Sequence, residues 1–147
     1  TGAQSRAHAV GVQQTIDADI SEFANLRITA WVRLLTVQKP PTVIAACPLK
    51  FQVIFKVASP ADPQQERTVC LYPTDQVGPA LDTGGISNST GDPIYRAQPV
   101  NQWYYLQFDL RRDEYLKAAH YLQQLRIEAD GLTYYAEITQ LSMLGIQ

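Results

Sequence analysis

Apolar and polar residues alternate along most of this chain with a period of two, the pattern of a β-strand with one buried face. The clearest case is the segment NLRITAWVRLL at 25–35, in which the even-numbered positions are apolar. Those positions are Leu26, Ile28, Ala30, Val32 and Leu34. The segment 49–57 repeats the pattern with Leu49, Phe51, Val53, Phe55 and Val57. Both segments are predicted to be strands that turn these side chains into a core.

Further strands are predicted wherever the same alternation returns. At the start of the chain it places His8, Val10, Val12 and Ile16 on the core side. Near the end, the phase changes around Gln140, as a β-bulge would require. The remaining predicted strands are 67–72, which pairs back onto 49–57, and 101–110, 124–129, 132–138 and 139–146.

Proline-rich and polar stretches separate these strands. QKPPT at 38–42 and SPADPQQ at 59–65 read as turns, and 73–93 is a long irregular segment. One short helix is predicted at 113–120, with Asp113 as its N-cap. Many short strands and one helix indicate an all-β fold, an antiparallel β-sandwich of the jelly-roll kind. We expect residues 1–147 to form a single domain.

Composition narrows the class of protein. The chain has 147 residues, 46% hydrophobic and 18% charged, with a formal net charge of -2. Such a chain can bury a real core, and its charge argues against nucleic acid as a partner. No apolar stretch approaches the roughly 20 residues of a membrane helix, so we expect no membrane insertion by this domain. The start at Thr1, without methionine, indicates a segment of a longer protein, and the low charge favours an extracytoplasmic location.

Two cysteines, Cys47 and Cys70, flank the hairpin predicted between 49 and 72. A disulfide would stabilise the domain by about 3 kcal/mol through loop closure. The alternative is two buried free thiols that act as small apolar side chains. Strand register opposes the disulfide, because Cys47 lies beyond the position opposite Cys70 in a regular hairpin. Both alternatives remain open at the level of sequence.

The second half of the chain resembles a known fold family. NQWYYLQFDL, followed after a gap by LQQLRIEADGLTYYAEITQLSML, is similar to the ending of many galactose-binding-like jelly rolls. GVQQTIDADISEFANLRITAWVRL resembles the first strands of carbohydrate-binding modules of that fold. More narrowly, four segments resemble the C-terminal extracytoplasmic domains of some FecR-type regulatory proteins: LRITAWVRL, CPLKFQVIFKV, NQWYYLQFDL and IEADGLTYYAEITQLSM. The shared motifs are structural, and the fold serves sugar binders, adhesion modules and spacers alike.

The resemblance also implies a structural calcium ion near the first and last strands. Asp17, Asp19, Glu22 and Glu137 are the candidate oxygen ligands. No fixed spacing supports them, and the alternative is a set of solvated loop acids. No other cofactor is expected.

Catalytic residues are not predicted, so we expect a protein that is not an enzyme. His8 and His120 stand without a neighbouring nucleophile or metal-ligand spacing. Asp109, Asp113 and Glu114 cluster where capping explains them better than acid–base chemistry. Asn88-Ser89-Thr90 matches a glycosylation acceptor, a motif that also occurs by chance.

Candidate binding residues lie on the outward side of the predicted strands, where large aromatics are unusual. They are Trp31, Arg33, Trp103, Tyr105 and Gln107, with Arg27, Arg126 and Tyr135 expected on the same face. Stacked rings beside Arg and Gln suit a sugar ligand. The alternative is that the 73–93 segment covers Trp103 and QKPPT covers Trp31. Because aromatic side chains are mostly buried, we expect the covered arrangement.

Two functions are consistent with these residues. The first is a structural or protein-interaction module of a larger, membrane-anchored regulatory protein, with no small ligand. The second is a glycan-binding module that uses the aromatic sheet face. We favour the first, because the narrower resemblance points to it and no ligand constellation is visible.

Overall fold

A computed structural model of the chain describes residues 10–36, 47–74, 89–129 and 134–147. These ranges hold eight β-strands and one 3₁₀ turn. The strands are β1 (Val10–Asp19), β2 (Asn25–Thr36), β3 (Leu49–Lys56), β4 (Gln65–Pro73), β5 (Ile94–Gln98), β6 (Trp103–Asp109), β7 (Tyr121–Ala129) and β8 (Tyr134–Ile146), and the turn is Leu116–Ala118.

Two sheets pack face to face and confirm the predicted all-β sandwich. One sheet has five strands in the order β1-β7-β3-β4-β5, and the other has three in the order β6-β2-β8. One pairing departs from the antiparallel expectation, because β4 and β5 run parallel. Parallel neighbours need a long connection, and residues 74–93 supply it. Strand β5 itself, at the end of this connection, was not predicted.

Inward-facing side chains of both sheets form the core. The even-numbered apolar residues of β2 are all buried, as the alternation predicted. β2 is the central strand of its sheet, between β6 and β8, and its whole inner face is buried. One end of the core contains Leu26, Ile28, Val53, Phe55, Leu110, Leu122 and Leu125. The other contains Ala30, Val32, Leu34, Leu49, Phe51, Val69, Leu71, Leu106 and Ile127.

The core assignment of the first strand is wrong for two of its residues. Val10 and Val12 pair with Ala129 and Ile127 and face the inner side, yet both are exposed. Since β1 is an edge of the five-stranded sheet, the narrower three-stranded sheet does not reach over it here. Ile16, further along the strand, does pack against the core. His8 lies outside the described residues.

The predicted helix at 113–120 is wrong, because only the 3₁₀ turn Leu116–Ala118 forms and β7 begins at Tyr121. Asp113 still accepts hydrogen bonds from the N–H groups of Tyr115 and Leu116, at 3.0 and 2.8 Å. The same carboxylate also forms a buried ion pair with Arg67. Across the described ranges, no helix is long and apolar enough to cross a membrane.

The phase change near Gln140 is a β-bulge, as predicted. Thr29 pairs with Ser142 and Trp31 pairs with Thr139, so β8 has one more residue than β2 over this interval. Gln140 has a φ of 53°. A residue in this left-handed region changes the direction of the strand. The inward and outward side chains after it therefore alternate in the opposite phase.

Cys47 and Cys70 form a disulfide, with their Cα atoms 5.6 Å apart. In the β3–β4 hairpin, Cys70 pairs with Lys50, as the register argument expected. Cys47 nevertheless reaches Cys70, because the chain bends at Pro48 before β3 begins. The disulfide therefore ties the entry of β3 to the middle of β4.

Candidate functional site

The five candidate binding residues share the outer face of the three-stranded sheet. In the β2–β6 pair, Trp31 lies opposite Tyr105 and Arg33 lies opposite Trp103. Gln107 pairs with Thr29, one step further along. Directly paired residues of an antiparallel ladder point to the same side of the sheet, so the register alone brings them together. We call the outward-facing residues of β2, β6 and β8 the aromatic face.

The aromatic rings of this face are accessible to solvent. Trp31 is 38% exposed, Trp103 is 44% exposed and Tyr105 is 45% exposed. These fractions support the exposed alternative over the covered arrangement that we expected from the sequence. Most of the 73–93 segment and all of QKPPT lie outside the described residues, so no contact with them is described.

The rings are held in fixed positions by side chains on neighbouring strands. The Trp31 and Tyr105 ring centroids are 5.2 Å apart, with ring planes inclined by 51°. The Arg33 guanidinium carbon lies 4.9 Å from the centre of the Trp103 ring, in cation–π contact. One side of each tryptophan is thus in contact with the sheet's own residues, while the other remains open to a partner.

Arg33 is neutralised within the same face by Glu137 of β8. Arg33 Nε donates a 2.8 Å hydrogen bond to Glu137 Oε2, and a second guanidinium nitrogen forms an ion pair with the same oxygen. Trp103, Arg33 and Glu137 therefore form one row across all three strands. Both charged side chains remain partly exposed, so the pair contributes little to stability and more to positioning.

The four candidate calcium ligands are not brought together. Glu137 lies opposite Arg33, eight positions along β2 from Asn25, where the loop carrying Glu22 meets the sheet. At about 3.3 Å per residue, this separation is roughly 26 Å. Asp17 and Asp19 belong to β1 of the other sheet. Among the described residues, no three acidic, histidine or cysteine side chains are grouped to hold a metal ion.

Asp19 has a local role. Its Oδ1 accepts a hydrogen bond from the Ser21 hydroxyl and another, of 2.8 Å, from the Ser21 N–H. These bonds stabilise the carboxylate and lower the pKa of Asp19 below its usual value. The bonds define the turn that leads from β1 towards β2.

Of the three other residues expected on the aromatic face, Arg27 and Tyr135 lie there and Arg126 does not. Tyr135 pairs with Leu35 and is exposed there, as expected. Arg126 is on β7, in the five-stranded sheet, and its neighbours are Gln13 and Gln52. The prediction that Arg126 joins this face is wrong, because alternation shows which side of a strand is outward but not which sheet the strand joins.

The acidic cluster and the histidine predicted near 109–120 have structural contacts. Asp109 Oδ1 accepts a 3.0 Å bond from the N–H of Arg111, and Glu114 pairs with Lys117 at the surface. The His120 N–H donates to the carbonyl of Val57 at 2.9 Å. The first two contacts are local to residues 109–117, and the third joins the segment after the 3₁₀ turn to the residue that follows β3. Of the glycosylation motif, Ser89 and Thr90 are described and Asn88 is not.

The part of the aromatic face that follows the bulge in β8 was not predicted from the sequence. Leu144 pairs with Arg27 and Ile146 pairs with Asn25, and both apolar side chains are exposed. The signal was present in the phase change at Gln140, which reverses the inward and outward positions that follow it. When the alternation continues after the bulge in the reversed phase, Leu144 and Ile146 point outward.

The candidate site is thus an exposed, largely aromatic sheet face with one internal ion pair among its described residues. Its geometry suits contact with an extended or flat partner better than enclosure of a small molecule. Neither a model of any protein family nor any curated protein sequence matches this chain.

Proposed function

We propose that this protein is a non-catalytic interaction module of a larger protein, and that it binds a protein partner through the aromatic face. The observation that carries the proposal is the uneven distribution of exposed apolar groups. Of nine large hydrophobic side chains exposed in the described ranges, six point outward from the three-stranded sheet. They are Trp31, Trp103, Tyr105, Tyr135, Leu144 and Ile146. Concentration on one face is typical of an interaction site.

The chemistry of the face also supports a protein partner. Tryptophan, tyrosine and arginine are the residue types that most often contribute large binding energies at protein interfaces. Arg33 is paired with Glu137 inside the face, so a partner need not supply a counter-charge. Cross-strand contacts already fix Trp31 and Trp103, so little side-chain entropy is lost on binding.

We extend the proposal to an extracytoplasmic location and to a galactose-binding-like, FecR-like parent. The Cys47–Cys70 disulfide is consistent with an oxidising compartment. The two-sheet sandwich is compatible with a galactose-binding-like jelly roll. The resemblance of LRITAWVRL, CPLKFQVIFKV, NQWYYLQFDL and IEADGLTYYAEITQLSM to FecR-type ectodomains gives the proposal its narrower form.

A glycan is the second candidate partner, favoured by one feature of the face. The tilted Trp31–Tyr105 pair adjoins the exposed amide of Gln107, which can donate and accept hydrogen bonds. Ring faces stack on the C–H groups of sugars, and an amide bonds their hydroxyls.

Site-specific photo-crosslinking in the native host tests the proposal. Tyr105 is replaced by p-benzoylphenylalanine in the full-length protein, and Gln13, exposed on the opposite sheet, is replaced in a matched control. We expect a discrete crosslinked protein from position 105 and none from position 13. Equal crosslinking from both positions, or none from position 105, would contradict a protein-binding role for this face.

A glycan array with the purified protein separates the two candidates. If a glycan is the ligand, affinity should be modest, on the order of μM to mM. Trp31→Ala and Tyr105→Ala should then abolish the signal, while Val12→Ala, on the other sheet, should leave it unchanged. An array without signal, together with a crosslink from position 105, supports the protein partner.

A further inference from the structure

The last strand, β8, presents a free edge to solvent within the part of the chain that the structure describes. It pairs with β2 on one side only and extends over 13 residues. The bulge at Gln140 divides it, so that 141–146 forms a straight segment of its own. Its described surroundings, β2 and the loop before it, leave the other side of this segment without a strand.

The register shows which main-chain groups face this edge. The carbonyl of Leu26 in β2 accepts a hydrogen bond from the N–H of Leu110, so the even-numbered residues of β2 bond towards β6. The odd-numbered residues must then bond towards β8, where their partners include Leu144 and Ile146. Met143 and Gly145, which alternate with those partners, therefore turn their N–H and C=O groups to the free edge.

The segment 141–146 lacks the charged residues and prolines that usually protect an edge strand. It contains no charged residue and no proline, and its exposed side chains include Leu141, Leu144 and Ile146. The other edge strands differ in this respect. β5 contains Arg96, β6 ends at Asp109, and β1 contains Asp17 and Asp19. An apolar, uncharged edge of this kind is a template for another strand.

We propose that the segment 141–146 pairs antiparallel with the same segment of a second copy of this chain. A two-fold axis through Leu144 places Met143 opposite Gly145 of the other copy. These are the residues whose main-chain groups face the edge, so each pair exchanges both hydrogen bonds. Leu144 then meets its own counterpart in the non-hydrogen-bonded position, where side chains approach most closely. Because the segment is uncharged, no repulsion opposes the pairing.

This pairing joins two three-stranded sheets into one continuous sheet of six strands. The two aromatic faces would then lie side by side on the same surface, so that a repetitive partner could be held at two points. The contact is shorter than a standard protein interface, and we therefore expect a weak dimer, with a Kd on the order of 10–100 μM. The pairing uses the edge of β8 and does not depend on what binds the aromatic face.

Sedimentation equilibrium over a broad concentration range tests the pairing. We expect the unaltered protein to form dimers, and Leu144→Lys to weaken association at least about tenfold by placing like charges opposite each other. Val12→Lys is the matched control, since Val12 is 66% exposed and Leu144 is 60% exposed, each on an edge strand of a different sheet. It should associate like the unaltered protein.

Disulfide crosslinking gives a second measurement, which remains informative if the lysine variant folds poorly. Leu144→Cys should form a disulfide-linked dimer under mild oxidation, because the two residues face each other across the axis, and Val12→Cys should not. A protein that stays monomeric at all concentrations would overturn the proposal. Loss of association in Val12→Lys but not in Leu144→Lys would overturn it as well. Neither result bears on crosslinking from position 105, so failure here is distinct from failure of the proposed function.

Discussion

Arg67 Nη2 lies 3.1 Å from Asp113 Oδ1, and both side chains are fully buried. The pair links β4 to the turn before β7. Arg67 also donates a 2.8 Å hydrogen bond to the Asp92 carbonyl, and its guanidinium lies 4.8 Å from the centre of the Tyr115 ring. Buried charges persist when their hydrogen-bonding capacity is met, and these contacts meet it. The pair therefore fixes the position of residues 113–118 against the five-stranded sheet.

Removing one member of this pair should destabilise the protein strongly. We expect Asp113→Ala to lower the free energy of unfolding by about 3–5 kcal/mol, because it leaves the Arg67 charge buried and unpaired. Asp113→Asn retains an acceptor for the N–H groups of Tyr115 and Leu116, and it should be milder. Urea denaturation of the three proteins measures both effects. Equal stability of Asp113→Ala and the unaltered protein would show that the pair is dispensable.

Arg111 should be a second point of sensitivity, because its guanidinium binds main-chain carbonyls of two loops. It donates to the Phe23 carbonyl at 3.0 Å and to the Ala119 carbonyl at 2.7 Å, and also to the Ile20 carbonyl. Partial burial lowers the pKa of Arg111, while Asp109 and Asp19 oppose that shift. Arg111→Met removes the donors and should lower the free energy of unfolding by at least about 2 kcal/mol.

The neighbouring arginine provides the control for this prediction. Arg112 is largely exposed, and its Nε lies 3.6 Å from Asp109 Oδ2. Arg112→Met should change stability by less than about 0.5 kcal/mol. Similar unfolding midpoints for the two variants in guanidinium chloride would show that the Arg111 contacts contribute nothing specific.

Trp103→Ala should be tolerated better than a core substitution on the same strand. Trp103 is about half exposed, so its truncation should lower the free energy of unfolding by about 1 kcal/mol. Leu106→Ala, at a fully buried position of β6, should lower it by about 2–5 kcal/mol. Thermal unfolding followed by circular dichroism compares the two. A loss of about 3–5 kcal/mol for Trp103→Ala would instead indicate a covered ring.

The disulfide should contribute through the unfolded chain. Cys47 and Cys70 are 23 positions apart, and closing a loop of this size is worth about 3 kcal/mol. The double variant Cys47→Ala/Cys70→Ala should be less stable by roughly that amount and insensitive to reductant. The unaltered protein should lose the same stability when dithiothreitol is added. If a thiol assay shows full reduction without any change in stability, the loop-closure explanation fails.

Stability should fall on the acid side, in part through Asp62. Main-chain N–H groups of Ala58 and Ser59 bind its carboxylate and lower the pKa of Asp62 in the folded protein. The carboxylate therefore contributes stability above the unfolded-state pKa of about 4, and that contribution is lost as pH falls through the folded value. Thermal unfolding between pH 7 and pH 2 should show a smaller acid-side loss for Asp62→Asn. Identical pH profiles would assign the acid sensitivity to other groups.

The alternation of apolar and polar residues was sufficient to predict those parts of the fold in which one face of a strand is fully buried. The inward residues of β2 and β3, the β3–β4 hairpin and the bulge at Gln140 follow from alternation and its change of phase. The outward position of Trp31, Trp103 and Tyr105 follows from the same rule. These features depend on residues near one another in sequence, which is why a single sequence predicts them.

Other features depended on how distant segments meet. Val10 and Val12 alternate like core residues but are exposed, because the opposite sheet is narrower than theirs. The segment at 113–120 has helical spacing, yet the buried contact of Asp113 with Arg67 and the strand that begins at Tyr121 limit it to one turn. The bend at Pro48 made the disulfide possible against the expected register.

The candidate site shows the same division. Sequence alone determined that this chain forms an all-β sandwich and that Trp31, Arg33, Trp103, Tyr105 and Gln107 point away from the core. Only the tertiary structure placed them on one sheet, assigned Arg126 to the other, and paired Glu137 with Arg33. Alternation is a property of each strand by itself, whereas the neighbours of a strand are decided by which pairings bury the most apolar surface across the whole chain.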